Sequence, residues 1–131
     1  MNGEPGVSPS ATSGGLPHGV FNPAVRAQRL RVYVGESEKL GGKPLYEAIV
    51  LKARELALAG ATVLRAPMGF GANSHLHTTK VLRLSQDLPM IVEIVDLPAR
   101  IALILPFVRQ HVGGGLVTLE PVDVVQYHPS T

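Results

Sequence analysis

The sequence has no cysteine and no tryptophan, and aromatic residues make up only 5% of its 131 positions. The missing cysteines exclude disulfides and cysteine-ligated zinc, and they fit a reducing cytoplasm, the expected location. With so few aromatics, the core has to be aliphatic, built from the 45% of residues that are apolar. No apolar run approaches the roughly 20 residues that a membrane-spanning helix needs; the longest is Ile101 to Val108. The first residues lack the basic start and apolar stretch of a secretory signal. Charge is nearly balanced, at +2, without a basic cluster, which argues against a nucleic-acid surface. Acidic residues are absent from 56 to 86, so that stretch offers no carboxylate to a metal.

What is present divides into a tail, one domain of residues 29–128, and a short end at 129–131. Residues 1–28 hold 12 Gly, Pro or Ser and show no apolar period, the composition of a disordered tail. Arg29 to Gly35 alternates, with Leu30, Val32 and Val34 on one face and Arg31 and Tyr33 on the other, which predicts a strand. Lys43 to Leu58 follows as a helix. It has Pro44 in its first turn, a stripe of Leu45, Ile49, Ala53 and Leu56 widened by Val50 and Ala57, and Gly60 as its stop. Ala61 to Ala66 is a second strand, and Lys80 to Ser85 is extended.

Met90 to Val95 is short and almost wholly apolar, as expected of a central strand buried on both faces. Asp96 is placed as the N-cap of a helix running to about Val112. Pro106 should kink that helix or split it in two, and Gly113-Gly114-Gly115 should end it. Leu116 to Leu119 and Val122 to Tyr127 form the last strand or strand pair, with a bend at Pro121. The order β-α-β-loop-β-α-β with right-handed crossovers gives an α+β, ferredoxin-like βαββαβ fold. Its antiparallel sheet has strand order 4-1-3-2, with both helices on one face. The second face would be left bare, which is the mark of an oligomer interface, and Arg31 and Glu93 are expected to pair on it.

Several motifs then occur in register. They are Gly42-Lys43-Pro44-Leu45-Tyr46-Glu47-Ala48-Ile49-Val50, Leu58-Ala59-Gly60-Ala61-Thr62-Val63-Leu64-Arg65, Met68-Gly69-Phe70-Gly71, Ser74, His77-Thr78, and Leu88-Pro89 through Glu93-Ile94-Val95-Asp96. Together they resemble the PII-like "domain of unknown function" family number one-ninety over about residues 29–128. The resemblance implies a homotrimer with sheets facing inward, nucleotide clefts between subunits, and no established enzymatic activity. Gly60-Ala61-Thr62-Val63 followed by Gly69-Phe70-Gly71 is also similar to the cleft motif of PII signalling proteins, with one extra residue between the two parts. By that likeness Thr62, Gly69, Phe70 and Gly71 would line an adenine-nucleotide cleft together with Gly113, Gly114 and Gly115. Glycines suit such a place because they let backbone N–H groups approach a ring or phosphate closely.

PII proteins also carry a lysine after the second glycine loop and arginines on the last strand. Here the comparable stretch reads Gly115-Leu116-Val117, then Asp123 and Gln126. Arg65, Lys80 and Arg83 are the cations near the loop that can substitute. By the same likeness, residues Ala72, Asn73, Ser74, His75, Leu76, His77, Thr78 and Thr79 would form a mobile loop that orders on binding and meets a partner protein, for example a membrane transporter. An alternative is a metal-binding trimer resembling divalent-cation-tolerance proteins, with His75 and His77 as ligands. Ser74, His77 and Asp87 lack the strained elbow and oxyanion motif of a hydrolase, so no catalytic residue is expected.

Overall fold

A computed structural model of the chain describes residues 19–69 and 88–128. Its elements are β1 (Gly19–Gly35), β2 (Lys39–Leu40), β3 (Lys43–Pro44), α1 (Leu45–Glu55), β4 (Thr62–Arg65), β5 (Pro89–Asp96), α2 (Pro98–His111) and β6 (Leu116–Tyr127). The main sheet is antiparallel, in the order β4-β5-β1-β6. Counting only the four strands expected from the sequence, that order is 4-1-3-2, the ferredoxin-like arrangement.

The alternation in β1 does what its pattern predicts. Leu30, Val32 and Val34 are buried with Met90, Val92 and Ile94 of β5, and Leu45, Ile49 and Ala53 of α1 and Ile101, Ile104 and Val108 of α2 close over them. Fully burying such a side chain stabilises the fold by about 1.5–3 kcal/mol. β5 is central in the sheet but is buried on one face only within the chain, since Ile91, Glu93 and Val95 on the other face remain half-buried.

β1 starts ten residues before the expected Arg29, so the segment expected to be tail supplies its last ten residues to the sheet. Beyond the Gln28–Asp96 pair, β1 pairs with β6 alone as a two-stranded ribbon reaching Gly19–Tyr127. β6 is one strand rather than two. Pro121 is tolerated because β6 lies at the sheet edge, where a missing N–H costs no ladder bond on the open side.

α2 is likewise a single helix across Pro106. Ala102, whose carbonyl loses its partner there, is exposed along with Pro106, so water can satisfy that oxygen.

The stop of α1 is Ala57, not Gly60. Ala57 has φ 59°. Its N–H donates to the Arg54 carbonyl at 3.0 Å, and the Leu58 N–H donates to the Ala53 carbonyl at 3.0 Å. This is the paired closure of a left-handed helix end, normally given to glycine. Ala57 is exposed, so Ala57→Gly removes strain without losing packing. Urea unfolding should show it to be more stable by about 0.5–1 kcal/mol. Arg100 Nη2 completes the cap, donating to the Leu56 and Ala57 carbonyls at 2.7 and 3.1 Å.

Asp96 is not the N-cap of α2; that position is Leu97, without a side-chain cap. Asp96 ends β5 fully buried, and its carboxylate accepts from the Leu97 N–H at 2.7 Å and the Ala59 N–H at 2.9 Å. It therefore ties the connection before β4 to the start of α2.

Candidate functional site

The antiparallel topology brings four strand ends to one end of the sheet: the ends of β1 and β4, and the starts of β5 and β6. Gly69 lies just past β4, with φ 154°. A Cβ there would sit 2.9 Å from Pro89 Cγ, so the close approach of this turn to β5 requires glycine. Gly115 begins the turn into β6, and a Cβ on it would overlap the Tyr33 carbonyl oxygen and lie 2.8 Å from Val112 Cγ1. Gly113, in contrast, faces open space. Gly69 and Gly113 to Gly115 thus share one end of the sheet, Gly69 in the turn after β4 that reaches β5 and Gly115 in the turn before β6 that reaches β1.

Arg65 closes β4 at this end. Its Nε and Nη2 donate to Glu36 Oε2 and Oε1 at 3.1 and 3.2 Å, a two-pronged pair. Glu36 is itself placed by its backbone N–H, which donates to the Leu88 carbonyl at 2.8 Å, while the Ala66 N–H donates to the Pro89 carbonyl at 2.9 Å. The Arg65 and Glu36 side chains are 47% and 29% exposed, so this pair stabilises the fold by no more than about 1 kcal/mol. The role of Glu36 was not legible from the sequence, because nothing local links it to a residue 29 positions on.

A second feature at this end is the β2–β3 hairpin. Gly41 and Gly42 have φ 61° and 84°, as a tight mirror-type turn demands, and they sit between exposed Lys39 and Lys43. A Gly-Gly pair between short flanks is the signal that would have found it.

Thr62 is also exposed, but on the face of the sheet away from the helices, opposite Glu93 in the register. Arg31 lies on the other side of Glu93 and Thr118 beyond Arg31, so the four form a row across the sheet. Arg31 Nε donates to Glu93 Oε2 at 2.8 Å, the pairing expected on this face. Arg29 adds contacts to Glu120 and, at 3.9 Å, to Glu93. The hydrogen bond to Glu93 raises the Arg31 pKa above its ordinary value. Sign and position together make that contribution complete at any working pH, since it is lost only above the arginine range. An apolar row of Leu64, Ile91, Tyr33 and Leu116 runs beside this charged one.

Phe70, Gly71, Lys80, Arg83 and the segment Ala72 to Thr79, with His75 and His77, lie outside the described residues. Among the described residues, no group of three His, Asp or Glu could hold a metal ion. No helix among them is long and apolar enough to cross a membrane.

The comparisons agree with this architecture. A family model described as an uncharacterised ACR, the "domain of unknown function" number one-ninety, matches residues 27–124. A UPF0166 protein of Aquifex aeolicus (strain VF5) is 37% identical over 102 residues, covering 77% of this chain and 95% of the relative. CPII, a nitrogen regulatory PII-like protein from Thiomonas intermedia K12, matches in structure with a TM-score of 0.55 at 14% identity, over 78% of this chain and 91% of that one; that structure is bound to ADP, AMP and bicarbonate. A second CPII structure, bound to ADP and bicarbonate, matches with a TM-score of 0.52, again at 14% identity over 78% and 91% of the two chains. At this identity the structural likeness establishes the fold. The chain is a member of the "domain of unknown function" family number one-ninety, built on the PII-like fold.

Proposed function

We propose that the protein is a non-enzymatic, PII-like regulator that binds an adenine nucleotide between the chains of a homotrimer. The observation that carries this reading is the placement of the glycine turns. Gly69 and Gly115 sit in the turns that follow β4 and precede β6, both at one end of the sheet and both closely packed against it. When the β4 edge of one chain meets the β6 edge of the next, the two turns face each other across the seam. Both edges suit such contact: Leu64 on β4 and Leu116, Val117, Leu119 and Val125 on β6 are exposed. The nucleotides bound by the CPII structures of the same fold support the ligand class.

In this reading Thr62, Gly69, Phe70 and Gly71 of one chain and Gly113, Gly114 and Gly115 of the next wall the cleft, with Arg65 and Lys80 as its cations. Residues 72–79 carry the signal to a partner protein in the cytoplasm, such as a membrane transporter. Isothermal titration of ADP, AMP, ATP and cyclic nucleotides into the assembled protein should give saturable heat with at least one of them. No heat from any of them contradicts the proposal.

A further inference from the structure

Arg65 is the cation at the foot of the Gly69 turn, and it is already engaged. Its two-pronged pair with Glu36 presents the guanidinium fork to two carboxylate oxygens at 3.1 and 3.2 Å. A phosphate group offers the same fork two oxygens and more charge. The Glu36 backbone is held beside the site by its bond to Leu88 at the entry to β5. Any anion reaching Arg65 therefore meets Glu36 first, as a competitor for the same donors and as a like charge beside them. The pair is open to solvent on both partners, so exchange demands no rearrangement of the core.

Resting on the nucleotide reading above, we infer that Glu36 is a specificity-determining residue of the cleft: the phosphate of a nucleoside phosphate replaces its carboxylate on Arg65. Glu36 thereby lowers affinity for the phosphate end of the ligand while leaving the base end untouched. A ligand must bring enough charge to displace it, and each further phosphate is opposed by the displaced carboxylate nearby.

Calorimetric titration of ADP and of adenosine into the assembled wild type, Glu36→Gln and Arg65→Gln separates the contributions. Glu36→Gln should bind ADP about fivefold or more tightly, and Arg65→Gln about tenfold more weakly, with adenosine binding equal in all three. Melting temperatures of the variants check that the fold is kept. Wild-type binding of ADP with unchanged or weaker affinity in Glu36→Gln overturns the role of Glu36 and leaves the nucleotide reading standing. Failure of the wild type and both variants to bind either ligand overturns both.

Discussion

Arg31→Glu is expected to convert the assembled protein into monomers, seen as a fall in sedimenting mass at micromolar concentration. Arg31 lies on the sheet face that the helices leave uncovered, paired with Glu93 at 2.8 Å. Arg29 and Glu120 complete a set of two positive and two negative groups, flanked by the apolar row of Leu64, Ile91, Tyr33 and Leu116. In the proposed trimer this face is enclosed against its copies, and the four charges are satisfied among themselves. The substitution leaves Arg29 as the one cation of the set, facing three carboxylates. Like charges enclosed without partners are strongly unfavourable. Restoring the pair in reverse, with Arg31→Glu and Glu93→Arg in one chain, should recover the assembled mass. An unchanged mass in the single variant would show that this face is not the interface.

The largest effect on folding is expected at Asp96. It is the one charged side chain buried among the described residues, at 0% exposure. Both of its oxygens are used, one by the Leu97 N–H and one by the Ala59 N–H. Asp96→Ala strands two backbone donors at the junction of β5, α2 and the segment before β4. The bond that Ala59 makes from its other side, accepting from the Tyr127 hydroxyl at 3.1 Å, loses its fixed anchor at the same time. Two lost charge-assisted bonds amount to about 3 kcal/mol, which lowers the melting temperature by roughly 10–15 °C in a domain of this size. Asp96→Asn, which keeps one acceptor, should fall between the two. A melting temperature within a degree or two of wild type for Asp96→Ala would show that water or a shifted backbone replaces the carboxylate.

The parts of the fold written in local patterns were legible. Alternation at Leu30, Val32 and Val34 gave the strand, its core face and, by exclusion, the side on which Arg31 meets Glu93. The apolar spacing through Leu45, Ile49 and Ala53 gave α1, although Ala48 is buried and Ala57 is exposed, against the expected stripe. What escaped was set by distant partners. Residues 19–28 carry Asn22, Pro23 and no alternation, and they are held extended by pairing with β6, with the register shifting between Val20 and Val25. Asp96 looked like a helix cap because a carboxylate before Leu97-Pro98 fits that role locally; its second bond, to Ala59, reaches 37 positions back. Gly60 was the natural stop for α1 on propensity, yet the chain accepts strain at Ala57, where Arg100 bonds the helix end from another element. At the candidate site the glycine motifs stood out in the sequence, but their placement at one end of the sheet follows only from the strand order. Glu36, which pairs with Arg65 at the end of β4, had no local signature.

The proposed nucleotide site exists only where two chains meet. This is tested most directly by titrating ADP into the wild type and into Arg31→Glu, with mass measured in the same solutions. One ADP per chain is expected to bind to the assembled wild type and none to the monomeric variant. Full ADP affinity in a monomer would contradict it.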